Sequence, residues 1–360
     1  EVTRVDNWAG ALRGLIDNNE LEKTTVVATG SHQRDLRAGG ERLPGRRGGG
    51  PHFDWELLPL SFREYVQVAE PDLQLPPVLS TLTVEEVKTN SRELVLLRPR
   101  LISLLEDYLA VGGFTMAIND KASFGMIRAE IYQIYREAII GEFTRAGMRE
   151  PYLREIINWL ADHLGQEFDY RDIALATDIG SKDTARNYMD NLEASYVAKV
   201  YYRTPDIEKL SPAFRGSKKI HPIDPLFWHL IRAWAASDPD PWPACIGAVQ
   251  SSDGVGHLVE SVIAIHLRRT FGNQVYYWRA NNRREIDFVV SSPGAPVAIL
   301  EVKYRQNVSG DDVKQVAKAG GGLVATRSKG GNLLEGAVYA IPAAELLVML
   351  DAPSLGPSKL

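Results

Sequence analysis

Arg284-Glu285-Ile286-Asp287-Phe288-Val289-Val290 is followed, after a short Pro/Gly turn, by Val297-Ala298-Ile299-Leu300-Glu301-Val302-Lys303. Both runs read as apolar strands, and a strand turns successive side chains to opposite faces. Glu301 and Lys303 therefore project together while Val302 turns into a core. With the two strands as neighbours in one sheet, Asp287 stands beside Glu301. Two carboxylates gathered this way repel each other unless a hard cation sits between them, and oxygen donors of this kind suit Mg2+ or Mn2+. A metal held there would polarise a phosphate and lower the pKa of a bound water. Lys303 would orient that water or steady the negative charge developing on the phosphorane. The plainer alternative is that Glu-x-Lys is common on surface strands, where charged strand ends are usually only solvated.

The arrangement resembles the catalytic motif of the restriction-endonuclease-like phosphodiesterases, an Asp, a gap, then Glu-x-Lys. Thirteen residues lie between Asp287 and Glu301. Upstream, Gly256 to Leu267 reads as an amphipathic helix whose Glu260 matches the helical Glu that often supplies a further metal ligand in that fold. The resemblance thus implies Glu260, Asp287 and Glu301 as the metal set and catalytic acids, with Lys303 as the charge stabiliser. Downstream, Asp311 to Ala319 reads as a helix and Gly322 to Thr326 as another strand, completing the expected order of helix, three strands, helix, strand. A strand from Gly336 to Ile341 and a helix from Ala343 to Leu350 finish the fold, with a disordered tail after them.

The chain of 360 residues, with net charge −5, suggests two or three domains and is not a wholly basic nucleic-acid coat protein. A single cysteine, Cys245, excludes an internal disulfide and a cysteine-based zinc site. The seven His residues show no paired ligand spacing. No apolar run reaches membrane-spanning length and Glu1-Val2-Thr3-Arg4 is no signal peptide, so a cytoplasmic protein without a membrane partner is expected.

At the amino end, Thr24 to Thr29 reads as a buried strand running into Gly30-Ser31-His32. Leu43-Pro44-Gly45-Arg46 and Pro59-Leu60-Ser61-Phe62-Arg63-Glu64-Tyr65 follow. This order resembles prokaryotic AAA-type ATPases whose carboxy-terminal part is a domain of unknown function bearing the nuclease-like motif. The resemblance implies that Glu1 is the second acid of a Walker B pair, Ser31 a sensor near the γ-phosphate and Arg46 a sensor or finger. The sequence opens in mid-motif: the Walker A loop and its Lys lie upstream of residue 1. ATP therefore belongs to the intact protein, and this chain as given is not expected to hydrolyse it. Gly40 to Arg47, continued by Gly48-Gly49-Gly50-Pro51, reads as a flexible Gly/Arg loop.

From Leu94 to Phe143 the periodicity is helical, broken at Val111-Gly112-Gly113-Phe114, where the related proteins continue with Pro and this chain has Thr115. The segment resembles an AAA helical lid, with Tyr132, Tyr135 and Ile139 as core. Helices beginning at Pro151, Tyr170 and Lys182, then a strand from Val197 to Arg203, suggest a winged helix-turn-helix. Ser181 would cap the third helix and set Lys182, Thr184, Arg186 and Asn187 on a face for a major groove, although Asp183 and Asp190 dilute it. A packing role for this module is the competing reading. Lys218 to Pro225 matches the relatives' Lys-x-Tyr-x-x-Asp strand with His221 in place of Tyr; Asp224 is explained by turn capping. Ser237 to Asp253 reads as a linker, with Trp228, Trp234 and Trp242 fastening the parts on either side.

The expected fold class is multidomain α/β. Residues 1–93 are the end of an AAA core, 94–148 the lid, 149–236 the winged-helix-like domain, 237–253 the linker and 254–352 the restriction-endonuclease-like domain. Arg268, Arg269, Arg279, Arg283 and Arg284 form a local basic cluster suited to phosphates. The expected function is an ATPase whose nucleotide-driven movement governs metal-dependent action on DNA, with RNA as a lesser alternative. The resemblance also implies a homo-oligomer formed through the ATPase part. Two other classes remain: a module that holds nucleic acid without cutting it, and an interaction switch in which the same carboxylates and Lys form a structural ion network.

Overall fold

The computed structural model describes residues 2, 5–41, 43, 45–46, 54–252, 254–280, 284–292, 294–333 and 337–357. The expectations for Glu1, Arg283 and residues 47–51 lie outside the described residues. Helices α1 (Trp8–Asp17) and α2 (Gln33–Glu41) precede a short strand β1 (Trp55–Leu57). After them come α3 (Phe62–Ala69), α4 (Val84–Glu93), α5 (Arg98–Val111), α6 (Thr115–Phe124) and α7 (Ala129–Arg145). Helices α8 (Glu150–His163), α9 (Tyr170–Ala176) and α10 (Lys182–Ala194) lead into strands β2 (Ala198–Thr204) and β3 (Lys218–Pro222). Then come α11 (Pro225–Ala236), α12 (Pro241–Gln250), α13 (Val255–Phe271), β4 (Val275–Arg279), β5 (Glu285–Val290) and β6 (Ala298–Lys303). A 3-10 turn (Asp311–Val313), α14 (Lys314–Lys318), β7 (Gly322–Thr326), β8 (Gly331–Leu333), β9 (Val338–Pro342), α15 (Ala343–Met349) and β10 (Leu355–Pro357) close the described chain. The result is a mixed α/β protein.

The central sheet has the order β3-β2-β4-β5-β6-β7-β9-β8. Strand β2, expected as the wing strand of a winged helix-turn-helix, is part of this sheet: it forms a hairpin by pairing antiparallel with β3 on one side and pairs parallel with β4 on the other. All five residues of β3 and most of β2 are buried, which a solvated wing would not be. Helix α13 packs across β3, β4, β5 and β6, whereas α14 packs on β5, β6 and β7. One large apolar core runs continuously from Phe62 to Leu350, and a smaller one gathers Ile286, Val289, Ile299, Val313, Val316, Val324 and Val338.

Three segments differ from expectation. Residues 24–30 are irregular and Val27 is 78% exposed. A strand is stabilised by a neighbouring ladder, and among the described residues the backbone bond that reaches 25–29 is Val2 N–H to Thr29 O at 2.8 Å. The expected linker contains α12, because Pro241 and Pro243 sit in a first turn whose N–H groups have no helical acceptor anyway. Cys245 of α12 is buried and lies 3.2 Å from the Tyr132 hydroxyl. The expected disordered tail contains β10, paired antiparallel with β1.

Ser61 and Glu64 form a capping box that starts α3, and Glu64 also accepts the Ser354 N–H, fastening the carboxy-terminal segment to it. One residue on, Phe62 N–H donates to His266 Nε2 at 2.9 Å, and His266 Nδ1–H donates to Val262 O at 2.8 Å. Burial pushes the His266 pKa down to about 3, so the ring is neutral in this pairing. The Pro-Leu-Ser-Phe segment thereby fixes α13, the helix that carries Glu260. Asp224 caps α11 through Leu226 N–H at 2.8 Å and also takes the Gly113 N–H at 2.8 Å. Gly112, at φ 76°, leaves room for it: a Cβ there would stand 2.0 Å from Asp224 Oδ1.

Candidate functional site

The ladder between β5 and β6 runs through Val290↔Ala298, Val289↔Ile299 and Phe288↔Leu300. At the next positions side chains take over. Val302 N–H donates to Asp287 Oδ2 at 2.8 Å, and Asp287 N–H reaches Glu301 Oε2 at 3.4 Å. Lys303 Nζ donates to Glu301 Oε1 at 2.5 Å, while Val302 packs against the main core. The three residues singled out on β5 and β6 therefore do meet, as strand alternation requires. They line a cleft of roughly 580 Å³ with Gly165, Lys219, His257, Glu260, Arg279 and Glu285.

Lys219 was not anticipated as a site residue. It arrives from β3, its residue is 4% exposed, and its ammonium lies 2.9 Å from Glu260, 2.5 Å from Glu285 and 3.9 Å from Asp287. The sequence signal was the period-two pair Lys219 and His221, which share a face of β3. His221 Nδ1 lies 3.0 Å from Ser261 Oγ, and His257 faces Glu260 across 3.8 Å. Arg279 is paired with Glu167. Gly165, at φ 74°, lets its turn run close over the cleft, where a Cβ would lie 3.5 Å from His257 Nδ1.

Burial, and then the neighbouring Glu260 and Glu301 charges, hold the Asp287 carboxyl far above the usual range. Burial likewise raises Glu301, with Lys303 working against it. For Lys219, burial opposes the charge but the Glu260, Asp287 and Glu285 carboxylates outweigh it, keeping the ammonium protonated. Burial also opposes the Glu260 charge, and Lys219 reverses that. His257 is raised above its ordinary value by Glu260.

The donor chemistry can be tested against a divalent cation. Glu260, Glu285, Asp287 and Glu301 face the ammonium groups of Lys219 and Lys303, with Arg279 taken up by Glu167. With all four ionised, these carboxylates against two ammoniums leave two negative charges, the charge of one Mg2+ or Mn2+, and without a cation burial opposes the ionisation of Asp287 and Glu301. Those two fit a hard cation. Glu260 is committed to Lys219, and among the described residues, as their side chains stand, no group of three His, Cys, Asp or Glu could hold a metal ion.

The remaining expected residues are dispersed. Arg269 is buried and donates to Pro59 O, Arg268 lies over the Tyr201 ring, and Arg279 is ion-paired, so these three do not form one phosphate-facing patch. Arg284 is exposed at the start of β5. Ser181 caps α10 as expected, but Lys182 pairs with Asp169 at 3.1 Å and Arg186 with Asp190 at 3.9 Å; Thr184 accepts from Ser181, and Asn187 is exposed. Ser31 donates to Glu142 Oε1 of α7 at 2.7 Å, and Arg46 pairs with Asp17 of α1 at 2.6 Å, so both are held away from the cleft lining. Among the described residues no single helix is long and apolar enough to cross a membrane.

Three family models match successive stretches: an AAA domain over residues 1–66, a domain of unknown function (DUF8612) over 102–231, and a second domain of unknown function (DUF4143) over 255–344. No curated protein and no solved structure matches the chain. The cleft therefore draws Lys219 from the DUF8612 stretch and its other charged groups on α13, β5 and β6 from the DUF4143 stretch. The matches at the two ends support an AAA-type, nucleotide-binding ATPase that carries a carboxy-terminal domain of unknown function.

Proposed function

We propose that the cleft hydrolyses phosphodiesters with the help of one divalent cation, and that the AAA part governs this activity. The observation that carries the reading is the pair of part-buried Asp287 and buried Glu301, neighbours at the open end of the β5–β6 ladder and short of positive charge. Perturbed carboxylates in a cleft are a recognised mark of a functional site. Asp287 and Glu301 would hold the cation, which when bound supplies polarisation of a phosphate oxygen and a more acidic water. Lys303, tied to Glu301 and half-exposed, is placed to stabilise charge on the phosphate. The substrate class is DNA, with RNA as the alternative, in a restriction-endonuclease-like domain.

The test is cleavage of labelled single- and double-stranded DNA and of RNA with Mn2+ or Mg2+, alongside Asp287→Ala and Lys303→Ala. Metal-dependent cutting by the parent that both variants lose supports the reading. A parent that neither cuts nor binds Mn2+ sinks it.

One observation favours a second reading. The Lys219 ammonium already bridges Glu260 and Glu285, so the same residues serve as an ion network fastening the β2–β3 hairpin to the sheet of an interaction switch. On that reading Mn2+ leaves the melting temperature unchanged.

A further inference from the structure

Lys219 is a long, flexible side chain held nearly out of solvent, and such burial is costly unless the ammonium is fully paired. It is paired on three sides, by Glu260 from α13 and by Glu285 and Asp287 from β5, and its Nζ also lies 5.6 Å from the centre of the Tyr277 ring. Glu285 and Asp287 stand two apart on one strand, so they share a face, and Glu260 closes the third side. Three carboxylates from two elements thus surround one point, and a covalently tethered ammonium, in place of a free cation, lies among them. Its contact with Glu260 takes up the helical Glu, while its contact with Asp287 is the longest of the three; the Asp287 carboxylate also accepts the Val302 N–H, and the Asp287 N–H reaches Glu301.

We infer that Lys219 is the fixed cation of the cleft: it stands where a second divalent ion would lie, and it restricts the exchangeable metal to a single ion on Asp287 and Glu301. This rests on the phosphodiesterase reading above. Lys219 is a positioning residue that acts through Glu260 and Asp287. Because β3 is continuous with the α8–α10 segment through the hairpin, the fixed charge comes from outside the stretch that supplies the exchangeable site.

The experiment is Mn2+ stoichiometry by equilibrium dialysis with electron paramagnetic resonance of free Mn2+, on the chain and on Lys219→Met, Lys219→Arg and Glu260→Gln. The parent and Lys219→Arg should each bind one Mn2+, Glu260→Gln should still bind one, and Lys219→Met should bind two. A purely structural lysine would alter stability in Lys219→Met and leave the stoichiometry at one, which overturns the inference, as does a parent that binds two. If Lys219→Met folds only when Mn2+ is added, as followed by circular dichroism, the metal has taken the lysine's place and the inference holds; folding that no Mn2+ restores overturns it. A parent that binds no Mn2+ at all points instead to failure of the phosphodiesterase reading.

Discussion

The Asp287 carboxylate accepts the Val302 backbone N–H at 2.8 Å, at a position where the regular β5–β6 pairing has stopped. Asp287 is thus both an acceptor the sheet needs and a charge its surroundings disfavour. Asp287→Asn keeps an acceptor and removes the charge. Chemical denaturation should show it at least as stable as the parent, by about 1 kcal/mol, because burial and the Glu260 and Glu301 charges all oppose ionisation. Asp287→Ala loses the acceptor as well and should be less stable by about 1–3 kcal/mol. A strongly destabilised Asp287→Asn would show instead that the charge is well compensated. In both variants Mn2+ should no longer raise the melting temperature.

Asp224 joins two backbone amides from separate segments, Gly113 and Leu226. Asp224→Ala leaves both donors buried and should cost about 2–4 kcal/mol in a urea titration. Asp224→Asn, which keeps one acceptor oxygen, should recover roughly half of that loss. Equal losses in the two variants would mean that the cap alone matters.

Gly112 tests the same junction from the other side. An alanine there is strained by the positive φ and meets Asp224 Oδ1 at 2.0 Å, so Gly112→Ala should lower stability by about 2 kcal/mol or more. A melting curve that superimposes on the parent's would show that the α5–α6 turn relaxes freely.

His266 should make the chain acid-sensitive. Its folded pKa of about 3 lies below the ordinary value of 6.5. Between those values the unfolded chain binds a proton that the folded one refuses, so the stability this group contributes is present above pH 6.5 and is lost as the pH falls towards 3. Replacement by Gln, which donates and accepts but does not titrate, should reduce the slope of unfolding free energy against pH by about 1.4 kcal/mol per pH unit in that window. An unchanged slope would mean that His266 takes up its proton in the folded chain as readily as in the unfolded one.

The features legible in the sequence were those set by neighbours along the chain. Alternation placed Glu301 with Lys303 and turned Val302 inward, and the element order from α13 to β7 followed from apolar periodicity. Ser181 announced its helix cap, and Asp224 its turn-capping role. Local composition misled where the deciding contact was distant. Residues 24–29 have a strand's composition yet lie exposed, and the Pro-rich stretch after Ser237 forms a helix because its prolines fall in the first turn. The arginines at 268, 269 and 279 are neighbours in sequence or by strand, but each is drawn to a different partner.

By itself the amino-acid order determined which side chains share a face, because the strand and helix repeats depend only on backbone geometry. It thereby brought Asp287, Glu301 and Lys303 towards one end of one sheet. Which charges answer them was decided only in three dimensions. Lys219 meets Glu260 and Glu285 because β2 pairs with β4 and carries β3 to the edge of the same sheet, and no local repeat specifies that docking. The strength of an ion pair depends on burial and on every charge packed around it, so the electrostatics of the cleft belongs to the tertiary structure.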